Sequence, residues 1–114
     1  MKKTILLGDK IKANKGSWTF DSKKIVKNFD KHISKSVPFH NKVHELISQI
    51  SVHFLSDNSN LLDIGCSTGS LLSNICKKNV KKKIKYIGID ESKEMINFAK
   101  KKFKKKNIKF YNQS

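Results

Sequence analysis

The sequence predicts an α/β fold in which two helices lead into a β-α-β-α-β run, on three observations. Two short and nearly continuous apolar runs, Leu61-Leu62-Asp63-Ile64 and Tyr86-Ile87-Gly88-Ile89-Asp90, have the character of buried parallel strands. Stretches with helical spacing of apolar residues precede and separate them. A glycine-punctuated turn, Gly65-Cys66-Ser67-Thr68-Gly69, joins the first run to the helix that follows. Strands alternating with helices in this order require right-handed crossovers, which build one half of a doubly wound, Rossmann-like sheet.

Residues 1–16 are polar, Lys-rich and without periodicity, and are expected to form a loose N-terminal arm. Trp18 and Phe20 suit a hydrophobic anchor for that arm better than a base-stacking platform. Asp21 precedes a helix with Ile25, Val26, Phe29 and Ile33 on one face. Ser36-Val37-Pro38 is expected to start a second helix, with Pro38 at a permitted first-turn position. Its stripe of Val43, Leu46, Ile47, Ile50 and Phe54 is the most regular in the chain.

Ser56-Asp57-Asn58-Ser59-Asn60 is a turn cluster that ends this helix. After the strand at Leu61–Ile64, Leu71, Leu72, Ile75 and Cys76 mark one crossover helix, and 77–83 reads as a solvated connection. Ser92 can cap a second crossover helix with Met95, Ile96, Ala99 and Phe103 inside, and the Lys100–Lys106 run is expected on its wet face. A third strand begins at Ile108-Lys109-Phe110-Tyr111. The first strand of such a half-sheet would lack a neighbour on its far side, and an open apolar edge invites aggregation or a partner strand.

The chain has 114 residues and a formal net charge of +16, and every basic residue is Lys. That charge is compatible with RNA encounter, yet base-reading proteins favour the bidentate fork of Arg, which is absent here. Enrichment in Lys, Asn and Ile also fits simple codon bias. Ile5-Leu6-Leu7 is too short for a signal-peptide core or a membrane span, so a cytoplasmic location without membrane contact is expected. Cys66 and Cys76 form no C-x-x-C pair and suit a reducing compartment. His40 and His44 are spaced one helical turn apart, as two metal ligands can be, but no third ligand is apparent and no metal is expected. His32 and His53 carry no signal.

The turn and a distant carboxylate supply the functional reading. Gly65 lets the backbone turn sharply at the strand end, and Gly69 lets the next helix pack closely. Asp90 ends the second strand at the same sheet edge, where a carboxylate can accept both hydroxyls of a ribose. Cys66 and Ser67 would present backbone groups to the amino-acid end of a nucleoside cofactor. The carboxylate of Asp63 could reach that cofactor's ammonium or fix the amides of the turn. Glu91 could assist Asp90 or face solvent. Ser67 stands where the dinucleotide pattern G-x-G-x-x-G has its second glycine, which shifts the expected cofactor from NAD to S-adenosylmethionine (SAM). The turn could also be a tight strand-to-helix connection with no ligand.

Several stretches resemble one known group. Trp18-Thr19-Phe20-Asp21, Phe29-Asp30-Lys31-His32-Ile33, Ser36-Val37-Pro38 and Asp63-Ile64-Gly65-Cys66-Ser67-x-Gly69 are similar, in this order, to the carboxy-S-adenosylmethionine synthases and the tRNA wobble-uridine methyltransferases grouped with them. The resemblance spans residues 17–114. It implies an incomplete class I methyltransferase fold, the N-terminal half of a SAM-dependent domain. The synthases transfer a carboxylate from prephenate onto SAM, and the product serves wobble-uridine modification in tRNA. By motif, Gly65, Cys66 and Ser67 would line SAM and Asp90-Glu91 would hold its ribose. His40 takes the place of a Tyr that contacts the cofactor in the family. The family's Arg for the extra carboxylate and its acidic segment beyond the third strand have no counterpart, and no residue is singled out as catalytic.

Two functions of different kinds follow. One is the SAM-binding half of a transferase, with SAM as cofactor, prephenate or tRNA as further ligands, and a separately encoded C-terminal half or a second copy in a homodimer as protein partner. The other is a non-catalytic module that uses its Lys-rich surface or open strand edge for binding.

Overall fold

A computed structural model describes residues 4–7, 11–14 and 23–114. Within the stretch expected as a loose arm, β1 (Thr4–Leu7) and β2 (Ile11–Asn14) pair antiparallel, with Thr4 opposite Asn14 and Leu7 opposite Ile11. The pairing is hard to read from the sequence because the main apolar run, Ile5-Leu6-Leu7, is short and lacks the alternation that signals a half-buried strand. Ladder bonds satisfy backbone groups whatever the side chains are. Trp18, Phe20 and Asp21 lie outside the described residues.

Helix α1 (Lys23–Ser36) buries Ile25 and Val26, as its spacing predicts. The second helix, α2 (His40–Phe54), begins at His40 rather than at Ser36-Val37-Pro38. Residues preceding a proline are driven away from helical backbone, and Phe39 sits in the left-handed region at φ 61°. The residues around Pro38 therefore form a turn between two helices.

Helix α2 faces inward with its small polar side. Ser48 is only 2 % exposed, while Val43, Leu46, Ile47, Ile50 and Phe54 point away from the other described residues, Phe54 at 81 % exposure. The buried hydroxyls are satisfied locally: Ser48 Oγ donates to the His44 carbonyl at 2.7 Å and Ser51 Oγ to the Ser48 carbonyl at 2.6 Å. Asn79 Nδ2 donates to Ser51 Oγ at 2.9 Å, locking α2 to the end of the next helix. Small serines allow close helix approach, and their hydroxyls, bonded within the helix, are buried without an unmet donor.

The central unit is β3 (Ser59–Ile64), α3 (Ser70–Lys78), β4 (Ile84–Asp90), α4 (Lys93–Lys102) and β5 (Ile108–Asn112). The three strands form a parallel sheet in the order β3-β4-β5, with Leu61 beside Tyr86 and Tyr86 beside Ile108. This is the Rossmann-like β-α-β-α-β arrangement that the strand and helix periods predict. Ser92 caps α4, its Oγ accepting from the Met95 amide at 3.2 Å. The Lys100–Lys106 run is not one helical face, since α4 ends at Lys102 and Phe103 is its C-cap.

One sheet face makes the core. Leu72, Ile75 and Cys76 from α3, and Ile96 and Ala99 from α4, pack on Ile84, Tyr86, Ile108 and Phe110. The alternation of a strand sends the neighbouring residues to the opposite face. There Leu62, Ile64 and Tyr111 are exposed, Ile64 at 78 %. Among the described residues, the outer edge of β3 has no partner strand. No helix among them is long and apolar enough to cross a membrane.

Candidate functional site

The site forms where β3 and β4 end side by side. Parallel pairing in register brings Ile64 next to Ile89, so Gly65 and Asp90 emerge together at the same sheet edge. The amides of Gly65 and Cys66 both donate to the Ile89 carbonyl, at 2.8 and 2.9 Å, which folds the chain back over the end of β4. Gly65, Ser67 and Gly69 all have positive φ, at 78°, 51° and 78°. Three left-handed residues in five explain why glycines stand at two of these positions.

Gly69 is also a contact. A Cβ built there would lie 2.7 Å from Phe110 Cζ, so the absent side chain lets the start of α3 close on the sheet. A Cβ at Gly65 would meet nothing within 4 Å, so its glycine serves the turn and leaves the cavity side open.

Asp90 holds the turn in place. Its Oδ2 accepts from the Ser67 amide and its Oδ1 from the Ser92 amide, both at 2.9 Å. Each carboxylate oxygen retains a lone pair for a further donor. Of the two roles left open for Asp63, fixing the amides of the turn belongs to Asp90. The backbone at Asp90 and Glu91 is pinned in turn by Asn112, whose Nδ2 donates to both carbonyls at 3.0 and 2.8 Å.

Two cavities meet at this turn. One, of about 510 Å³, is bordered by Ile64, Gly65, Ser67, Ile89, Asp90 and Glu91, with Phe29 and Met95 among its apolar walls. The other, of about 200 Å³, is bordered by Asp63, Gly65, Cys66, Ser67 and Thr68, and by His40 and His44 from α2. Phe29, Gly65 and Ser67 line both. The seven expected residues Asp63, Gly65, Cys66, Ser67, Asp90, Glu91 and His40 are therefore brought around one paired space. Gly69 lines neither cavity and acts through packing.

The electrostatics of the second cavity follow from burial. Burial pushes the Asp63 carboxyl above its ordinary value, and the nearby negative charge of Asp90 adds to the effect. The Cys66 thiol is pushed up to about 12, by burial first and then by Asp63 and Asp90, so it stays protonated at neutral pH. His44 is held below its ordinary value by burial and by His40, with Asp30 opposing. The His40 and His44 rings lie 4.2 Å apart between centroids. Among the described residues, no three His, Cys, Asp or Glu side chains converge as metal ligands would.

Sequence reasoning missed four residues. Thr68 was an unspecified position of the turn, yet it is 1 % exposed and donates to Asp30 Oδ1 of α1 at 2.6 Å. The helical spacing explains Phe29 and Met95 as inward-facing residues, and they also wall the larger cavity. Asp30 lay on the polar side of its helix, with no local signal of a partner 38 positions away.

Comparison with known proteins bears on the family and the fold. A sequence profile described as a methyltransferase domain matches residues 55–114, more than half of the chain. A carboxy-S-adenosyl-L-methionine synthase of Staphylococcus epidermidis is 40% identical over 103 residues, covering 88% of this chain and 43% of that protein. The synthase of Campylobacter lari is 38% identical over 74 residues, covering 65% of this chain and 31% of its own length. The chain thus spans less than half the length of these curated relatives.

Among solved structures, an S-adenosyl-L-methionine-dependent methyltransferase of Methanococcus maripaludis superposes with a TM-score of 0.66 at 23% identity, over 87% of this chain and 44% of that one. The N-methyltransferase NodS of Bradyrhizobium japonicum, solved with S-adenosyl-L-homocysteine (SAH), superposes with a TM-score of 0.55 at 18% identity, over 69% and 38% of the two chains. At such identities the likeness speaks for the fold. The profile match shows that the chain belongs to the methyltransferase domain family, and its fold is the one shared by class I SAM-dependent methyltransferases.

Proposed function

We propose that this chain binds SAM across its two joined cavities and provides the cofactor-binding part of a carboxy-SAM synthase-type transferase. The observation that carries the reading is the placement of Asp90, held by two backbone amides at the mouth of the larger cavity. Its free lone pairs suit two ribose hydroxyls, with Glu91 beside it and the apolar side chains of Ile89 and Met95 suited to an adenine face. The amino-acid end would lie over Gly65–Ser67 towards Asp63 and His40. Ionised Asp63 would attract the ammonium, and neutral Cys66 would contribute shape rather than charge.

The curated relatives point to carboxy-SAM formation more than to methyl transfer, so prephenate is the second substrate we assign and tRNA wobble-uridine modification the use of the product. Positioning of donor and acceptor would supply most of the rate, as in reactions that gain chiefly from alignment. Isothermal titration with SAM and SAH tests the cofactor assignment. Saturable binding that is lost in Asp90→Ala is the expected result, and identical titrations of wild type and variant would sink it.

A second reading, a non-catalytic binding module, is favoured by the exposed apolar sheet face of Leu62, Ile64 and Tyr111. Size-exclusion chromatography separates the two. A monomer that binds SAH supports the cofactor role, whereas assembly without SAH binding supports the module.

A further inference from the structure

The turn between β3 and α3 is gripped from two sides. Asp90 takes the Ser67 amide from the sheet side. The next residue, Thr68, gives its hydroxyl to Asp30 on α1, a helix outside the β-α-β-α-β unit. This bond joins a side chain at 1 % exposure to a carboxylate, and hydrogen bonds to charged groups are the stronger kind. Asp30 has a second partner in Lys102 of α4, whose Nζ lies 3.9 Å from Oδ2. That pair is partly exposed and contributes little by itself. It engages Oδ2, and Oδ1 is the oxygen that meets Thr68.

The neighbour of Asp30 in sequence is Phe29, which lines both cavities. Asp30 itself lines only the smaller one. A helix turn that is tied to Thr68 therefore holds Phe29 over the place where the cavities join. Val26 and Ile25, one turn earlier, are buried, so α1 is anchored at its start and latched at its middle. Release of the latch would loosen the hold on the helix turn that carries Phe29, while Ser34 Oγ still donates to Asn41 Oδ1 of α2 at 3.0 Å.

We propose that Asp30 is a positioning residue: with Thr68 it latches α1 over the cofactor turn, and the latch sets how long a bound SAM or SAH is retained. The inference rests on the cofactor site proposed above and adds a retention role for α1, which meets the turn through the Thr68 hydroxyl. Asp30 acts through Thr68 and Phe29 and needs no contact with the reacting atoms.

The test uses Thr68→Val, which keeps the buried shape and removes the hydroxyl, with Thr68→Ser as the conservative rescue and Asp30→Ala as the opposite end of the bond. SAH dissociation is followed by stopped-flow displacement. Thr68→Val and Asp30→Ala should each speed dissociation by about tenfold, the scale of one charge-assisted hydrogen bond. The double variant should be no faster than either single one, since both remove the same contact. Thr68→Ser should restore the wild-type rate. Wild-type dissociation in Thr68→Val, or fully multiplicative effects in the double variant, overturns the latch.

Hydrogen exchange without ligand separates this proposal from the cofactor reading. In Thr68→Val the α1 amides should exchange several-fold faster, with α3 and β4 unchanged. If wild type binds no SAH, the cofactor reading falls and exchange alone decides the latch. Unchanged α1 protection overturns it in either case.

Discussion

The carboxylate of Asp90 accepts the amide of Ser67 at 2.9 Å, tying the end of one strand to the turn that leaves its neighbour. Its other oxygen accepts the amide of Ser92 at the same distance. An Asn side chain has a single oxygen and cannot serve both amides. Asp90→Asn should therefore lower stability by about 1–3 kcal/mol, the cost of one unmet donor at a partly buried site. Chemical denaturation measures it, and an unchanged midpoint would show that the two bonds contribute nothing.

Gly69 combines a positive φ of 78° with a position 2.7 Å from Phe110 for any added Cβ. Gly69→Ala should cost about 2–4 kcal/mol, from left-handed strain and overpacking together. Adding Phe110→Leu should recover part of the overpacking share and none of the backbone share. Full recovery in the double variant would place the whole cost in the contact.

The Cys66 thiol, with its pKa pushed up to about 12, should react slowly. In a Cys76→Ala background, which leaves one thiol, iodoacetamide should alkylate the folded chain at neutral pH roughly a thousandfold more slowly than the unfolded chain, from thiolate fraction alone. Comparable rates would mean that the thiol is neither buried nor surrounded by negative charge.

Asp63 has its pKa raised in the folded state by burial and by Asp90. The folded chain then holds this proton more tightly than the unfolded one. Its contribution to stability is present below the ordinary carboxylate range and is lost as pH rises towards the raised value. Asp63→Asn should flatten that descent and be at least as stable as wild type at neutral pH. Denaturation midpoints on both sides of the carboxylate range check this, and a variant less stable than wild type at neutral pH would contradict it. For the same reason SAM affinity should rise with pH through that window, as Asp63 gains the charge that attracts an ammonium.

Much of the central unit is legible residue by residue. The parallel strands announce themselves as apolar runs, the turn as two glycines, and the cap of α4 as Ser92 with its amide partner three residues on. These are local effects, acting within a few positions of the residues that cause them. Helix α2 is the instructive exception. Its apolar stripe is regular, yet Ser48 and Ser51 turn inward, because hydroxyls that bond within the helix and to Asn79 fit the close approach to α3.

The sequence by itself determined the order of elements from α1 to β5, the turn at Gly65–Gly69 and the carboxylate that belongs at its edge, because period, glycine and chain direction act locally. Only the tertiary structure decided which oxygen of Asp90 meets which amide, which face of α2 is buried, and that Asp30 holds Thr68 from 38 positions away. Those pairings depend on how separate elements lie against one another. Register across β3 and β4 and the packing of α1 over the turn bring them within a hydrogen bond's length, a juxtaposition that the residues near each partner leave unsignalled.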